Sequence, residues 1–194
     1  GPRVAERVFV TRHIKEHMPE AFDFDIPSVC AIAPGVLGVT GVETMDIVFG
    51  VANKVKPDLI IAVDALASRR AARISTTIQL SDSGISPGSG VGNTRADLSR
   101  ANLGVPVIAV GVPLVVYAST ISQDTISLIA DETGLHGDEE RLRELAEQVI
   151  AKHMGDFIVT PKDIDVIVED MAGIIANAIN SALFGNNLEQ VRNM

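Results

Sequence analysis

Lys56-Pro57-Asp58-Leu59-Ile60-Ile61-Ala62-Val63-Asp64 decides the fold class. A proline ends whatever precedes it, and a run of apolar residues then stops at a carboxylate, the pattern of a strand buried on both faces. Immediately upstream, Val42, Met45, Phe49, Ala52 and Val55 recur at helical spacing, and Lys54 and Lys56 suit the negative end of the helix dipole. Thr40-Gly41-Val42-Glu43 reads as a capping box for that helix. Farther upstream, Ser28-Val29-Cys30-Ala31-Ile32-Ala33 is another apolar run, ended by Pro34-Gly35, and reads as a second buried strand. Strand, capped helix and strand make a βαβ unit, for which parallel pairing and a right-handed crossover are expected.

The remaining elements extend the same architecture. Val4, Val8, Thr11, Ile14 and Met18 predict a first helix over Arg3–His17, and Ala21–Pro27 reads as loop. Ser75–Leu80 alternates as a strand, Asp82–Asn93 is a glycine-rich loop, and a short helix is expected from Thr94 to Gly104. Val105–Val110 reads as a strand in which Pro106 is tolerable near the start. Tyr117–Ala130 reads as a helix, Asp131–Glu140 as a solvated acidic linker, and Leu142, Leu145, Val149 and Ile150 as one face of a further helix. The last helix has Thr160 as cap, Pro161 at its first position, a stripe from Ile164 to Ala182, and Gly185 just past its end. A single domain over 1–185 is expected, with 186–194 a frayed polar tail. The fold class is α/β, three-layered α/β/α, with a mainly parallel sheet.

Composition narrows the function. The chain has 194 residues, 46% hydrophobic, with 16 basic and 25 acidic side chains and a formal net charge of -9. An acidic chain in which no cluster of Lys and Arg is read argues against nucleic acid as partner. With 4% aromatics and no Trp, base-stacking surfaces are not expected either. No uninterrupted apolar run approaches the roughly 20 residues of a membrane helix. Gly1–Arg7 is charged and amphipathic, unlike a secretory signal. A lone cysteine, Cys30, fits a reducing cytoplasm and, inside its apolar run, is expected to be an inert core thiol.

In an open parallel sheet the crevice lies beyond the carboxyl ends of the strands, which selects Asp64. A carboxylate there faces partial desolvation, the means by which such a group becomes usable as an acid or base. The bland alternative is that Asp64 caps a turn over Ala65–Ser68. Pro87-Gly88-Ser89-Gly90-Val91-Gly92-Asn93 has GxGxG rather than GxGxxG spacing and no Lys-Ser/Thr pair, so a nucleotide site is disfavoured. Gly88, Ser89, Gly90 and Asn93 are instead candidates to line a substrate site. His13 and His17 stand four apart but lack the HExxH context, so no metal or other cofactor is expected. Ser68, Ser89 and Ser119 have no G-x-S-x-G elbow, which disfavours a serine hydrolase.

Five ordered blocks resemble one family, the germination (spore) proteases. They are Pro34–Thr44, Lys56–Ala67, Ser86–Asn93, Gly104–Pro113 and Val159–Lys162, with the weakest likeness over Ser119–Asp156. The resemblance implies a phosphorylase/hydrolase-like α/β fold similar to the hydrogenase maturation proteases. It implies an endopeptidase that degrades small acid-soluble spore proteins during germination and uses two aspartates, the second of which maps onto Asp64. The first belongs to a family motif whose last two residues match Gly1-Pro2, so it is expected three residues before Gly1. Two nearby carboxyls can share one proton because ionising both is costly, which leaves one as general base for water and one as general acid. The 194 residues, resembling about the C-terminal half of the parent, are therefore expected to be inactive alone. A homotetramer processed from a zymogen in the cytoplasm of the forespore or spore core is also implied. Two other readings stay open: a metal-dependent maturation-type protease, and a catalytically silent binding or assembly segment.

Overall fold

The computed structural model describes all residues except 19, 21–23, 89–94, 135–136, 154, 156 and 194. The chain divides into two compact units, one made of Gly1–Gly50 with Asp165–Met194 and one of Val51–Ile164. The fold is α/β with a mixed sheet.

The second unit holds the sheet. Strand β1 (Ile60–Ser68) pairs parallel with β3 (Val107–Tyr117). The other edge of β3 is occupied by two short antiparallel strands, β2 (Gln79–Ser81) against Ala109–Gly111 and β4 (Ile158–Val159) against Val116–Tyr117. The expected mainly parallel sheet is thus corrected to one long parallel pair flanked by two antiparallel ones. Val107 and Ala109 on one face of β3 and Val110 and Val112 on the other are all buried, as is Val116 farther along, so both faces of this strand are covered. The β1–β3 register shifts between Leu66 and Ala67, opposite Pro113. Proline cannot donate to a ladder, and the irregularity accommodates it. Pro106 lies just before the strand, where its carbonyl accepts the Ile60 N–H at 3.0 Å.

Helices α6 (Ala118–Thr133) and α7 (Glu139–His153) pack on each other. The expected acidic linker shrinks, because α6 runs on to a left-handed Gly134, φ +69°. Of the helix expected from Thr94 to Gly104, Thr94 lies outside the described residues, 95–99 are not helical, and α5 (Arg100–Leu103) is stopped by left-handed Gly104. The strand expected over Ser75–Leu80 gives way to a 3-10 turn, Ala71–Arg73, and only β2 remains of it. Left-handed Ser75, φ +57°, interrupts the alternation.

In the first unit, the helix expected over Arg3–His17 is split into α1 (Pro2–Ala5) and α2 (Arg12–His17). Tertiary acceptors capture the amides that would have joined them. Phe9 N–H donates to Asn180 Oδ1 at 2.9 Å, and Thr11 and Arg12 N–H both donate to the Val29 carbonyl at 2.9 Å. Ser28–Ala33 is not a strand, and the βαβ unit built on it does not form. Val29 there serves instead as an anchor, its N–H donating to Thr11 Oγ1 at 3.0 Å. Cys30, expected in the core, is exposed.

The expected capping box is likewise corrected. A short helix α3 (Leu37–Thr40) ends at left-handed Gly41, and Thr40 Oγ1 accepts from Val42 N–H at 3.2 Å before α4 (Thr44–Val55) begins. The long helix α8 (Ile164–Phe184) starts three residues after Pro161 rather than at it. Beyond Gly185 the expected frayed tail contains α9 (Leu188–Arg192). Its Val191 is buried with Ile26 and Phe184, with Phe9, Phe24, Val29, Leu183 and Leu188 packed around them. The helical run Ile164–Arg192 is long and apolar enough, by length and composition alone, to cross a membrane. Core helices pass the same test, and Ala172, Ile175, Ala176, Asn180 and Phe184 of α8 are buried.

Candidate functional site

Asp64 is the fifth of nine residues in β1, not its end. The expected strand terminus is therefore displaced four residues, to Ser68. Ala65–Ser68 is strand as well, so Asp64 caps no turn there. Its Oδ1 accepts the N–H of the next residue, Ala65, at 2.9 Å, and the side chain is half-buried.

The parallel register sets Asp64 beside Gly111 of β3. A Cβ on Gly111 would lie 2.3 Å from Leu66 Cδ1 and 2.7 Å from Leu66 Cγ. Leu66 shares a face of β1 with Asp64, so it leans across the position where Gly111 has no side chain. Gly111 is therefore a packing requirement of the strand pair that carries the candidate acid. Neither Gly111 nor Leu66 was singled out by the sequence motifs. The signal available was Ala65-Leu66-Ala67 continuing the apolar run past Asp64.

Of the predicted substrate-lining residues, Gly88 is described, in a turn with φ +73°. Ser89, Gly90 and Asn93 lie outside the described residues. The base of their loop is closed by a bridge in which Ile85 and Leu98 exchange both N–H···O bonds, at 3.1 and 2.8 Å. Gly84, φ +90°, makes that closure possible, since a Cβ there would sit 2.3 Å from the Leu98 carbonyl oxygen. Beside the base, the Asp97 carboxyl is held below its ordinary pKa, first by Ser99 and then by its own backbone N–H and Asn102. The Asn102 contact is the one with clear geometry, Nδ2 donating to Oδ1 at 2.7 Å, whereas the buried Ser99 hydroxyl has no hydrogen-bond partner among the described residues.

His13 and His17 are both exposed on α2. Among the described residues no group of three or more His, Cys, Asp or Glu side chains is placed to hold a metal ion. Ser68 is buried, and its hydroxyl donates to the Arg70 carbonyl at 2.5 Å, a structural use.

Fold and site together describe an α/β protein with a half-buried carboxylate on a parallel strand pair and, in the same unit, a glycine-closed loop. The sequence profile of the germination proteases matches residues 1–140 and 132–193, and the chain belongs to the germination protease family. The germination protease of Clostridium tetani is 45% identical over 196 residues, which cover 94% of this chain and 61% of that protein. For the germination protease of Caldanaerobacter subterraneus subsp. tengcongensis the figures are 48% over 196 residues, 94% and 60%. For that of Bacillus cytotoxicus they are 41% over 227 residues, 94% and 62%. The chain thus spans about 60% of the length of these relatives.

Proposed function

We propose that this chain is the part of a spore germination endopeptidase that carries one of two catalytic aspartates, Asp64, and that the substrates are small acid-soluble spore proteins. Membership of the germination protease family carries the proposal, and the place of Asp64 on the parallel strand pair supports it. The partner carboxyl, in this proposal, belongs to the portion of the relatives that the chain does not span. Two carboxyls sharing one proton would leave Asp64 either to take a proton from the attacking water or to protonate the leaving amine. The chain's own contribution is to hold the Asp64 carboxyl on a strand whose neighbour, Gly111, offers no side chain beside it. Gly88, Ser89, Gly90 and Asn93 are proposed to line the substrate path.

The proposal extends to a three-layer fold of the hydrogenase maturation protease type for the whole protein, and to a homotetramer processed from a zymogen in the spore core. Large apolar side chains left exposed here, among them Val39 at 84% and Leu80 at 72%, support burial against further protein. The direct experiment incubates the full-length protein carrying this sequence with a purified small acid-soluble spore protein and follows cleavage by intact mass. Discrete endoproteolytic fragments are expected from the full-length protein and none from the 194-residue chain alone.

A further inference from the structure

Asp64, Gly111 and Gln79 stand side by side across β1, β3 and β2, because the parallel and the antiparallel ladder both pass through Gly111. Residues opposite one another in a sheet share a face, so Asp64 and Gln79 point the same way with no side chain at Gly111 between them. Leu66 leans over that gap and gives the carboxyl and the amide an apolar floor in common. Ala62, Ala109 and Ser81 form the neighbouring row on the same face. Asp64, Gln79 and Ser81 are the polar side chains of the two rows, and Ser81 Oγ is already occupied by Ser83 Oγ at 2.6 Å.

The backbone in front of Gln79 is irregular. An unbroken β2–β3 ladder would set Thr77 opposite Pro113, yet it is Ser75, two residues earlier, whose N–H donates to the Pro113 carbonyl at 2.8 Å. Ser75 is left-handed, φ +57°, and its buried hydroxyl has no hydrogen-bond partner among the described residues. Irregularities of this kind re-aim the side chains that follow and gather beside active sites. The threonines of the segment are tied back to the 3-10 turn before it. Thr76 Oγ1 donates to the Ala72 carbonyl at 3.0 Å, and Thr77 Oγ1 to the Arg73 carbonyl at 3.5 Å. Gln79, by contrast, is exposed, and its side-chain amide bonds nothing among the described residues.

We propose that Gln79 binds the backbone of the peptide substrate, its side-chain amide donating to a substrate carbonyl and accepting from a substrate N–H. The proposal rests on the protease reading of Asp64 and adds a substrate-binding residue to it. An extended peptide brings unpaired N–H and C=O groups out of water, and a Gln amide offers both an acceptor and donors for them, whatever the substrate's side chains. Two strand spacings put Gln79 about 10 Å from Asp64, and an extended chain advances about 3.3 Å per residue. The contact therefore falls about two to four residues from the scissile bond. A neutral amide at this place also leaves the ionisation of Asp64 undisturbed, which a carboxylate would not.

The test uses the full-length protein and a peptide spanning one cleavage site of a small acid-soluble spore protein. The peptide is also made as a series in which one backbone amide at a time, about two to four residues to either side of the scissile bond, becomes an ester. An ester removes the N–H and weakens the carbonyl as acceptor while every side chain stays the same. Gln79→Met keeps the length of the side chain and drops its amide, and Ser81→Ala is the control on the same face. Gln79→Met should lower kcat/KM for the all-amide peptide by about fivefold, mostly through KM, while Ser81→Ala matches wild type. One ester should cost wild type about fivefold and cost Gln79→Met nothing further, a coupling that a merely structural role would not produce. Wild-type kcat/KM in Gln79→Met, or equal ester effects in both proteins at every position, overturns the proposal. Should Gln79→Met lower the thermal midpoint, Gln79→Asn, which keeps the amide and shortens its reach, is read by the same two criteria. If wild type cleaves no peptide, the protease reading has failed, and fluorescence anisotropy of the labelled all-amide peptide decides Gln79 separately. Binding weakened both by Gln79→Met and by one ester, without further loss when the two are combined, supports it. Equal binding to wild type and variant, or none to wild type, overturns it.

Discussion

Asn180 shows how one side chain organises a distant segment. It lies inside α8, 3% exposed, and its amide is used at both ends: Oδ1 accepts the Phe9 N–H at 2.9 Å, and Nδ2 donates to the Arg7 carbonyl at 3.0 Å. Arg7 in turn places Nη1 on the Glu169 carbonyl at 2.7 Å and Nη2 on the Glu169 carboxylate. Removing the amide takes away two part-buried hydrogen bonds, each worth about 0.5–1.5 kcal/mol. Asn180→Ala should therefore lower stability by about 2 kcal/mol in urea unfolding, while Glu169→Gln, at an exposed ion pair, should cost under about 1 kcal/mol. Gly111 makes a second test at this scale. Gly111→Ala pushes a methyl group into Leu66, and overpacking of this kind costs about 1–3 kcal/mol, read as a lower thermal midpoint. Leu66→Ala in the same chain should recover part of the Gly111→Ala loss, because it removes the atoms in collision. Asn180 was not legible beforehand. A polar residue within an apolar helical stripe announces a partner without saying which, and the partner here is 171 residues away in sequence.

At the scale of elements, local patterns were legible where tertiary demands agreed with them. The apolar run that opens β1, the stripe of α4 and the stripe of α8 all became the element type expected of them. The failures share one cause. Arg3–His17 has helical spacing, yet the amides between α1 and α2 find better-placed acceptors on Asn180 and Val29. Ser28–Ala33 has strand composition, yet it acts as an exposed or half-buried strap in which the Val29 carbonyl serves Thr11 and Arg12 and the Val29 amide serves Thr11. Both strands of the parallel pair ran past their expected ends, because Asp64 in one and Gly111-Val112-Pro113 in the other look like terminators. Once Gly111 faces Leu66 and the ladder shifts at Pro113, neither needs to stop. The candidate acid was thus legible from its apolar prelude, whereas its mid-strand setting depended on pairing that no local pattern encodes. The glycine loop allows an element-scale prediction. Gly84→Ala meets both a left-handed backbone and the Leu98 carbonyl, and should cost about 1–3 kcal/mol. Faster hydrogen exchange at the Ile85 and Leu98 amides should accompany it, with β1 amides unaffected.

For the whole molecule, the amount of apolar surface left uncovered is the leading fact. Val36, Val39, Leu80, Leu128, Val149, Phe157, Val166 and Ile174 are all more than half exposed. The chain also spans only about 60% of its relatives' length. Studied alone, it should self-associate with concentration in light scattering and bind a hydrophobic dye, while the full-length protein should form one defined oligomer and bind little. A dye-silent monomer of the isolated chain would show these side chains to be tolerated as free surface. The central claim concerns one carboxyl, and the most direct measurement is the rate at which full-length Asp64→Asn cleaves a small acid-soluble spore protein, beside wild type at matched thermal stability. Loss of a general acid or base removes about 10²–10⁴ of the rate, so near-complete loss of cleavage with an unchanged unfolding midpoint is expected. Cleavage at the wild-type rate by Asp64→Asn would contradict a catalytic role for Asp64.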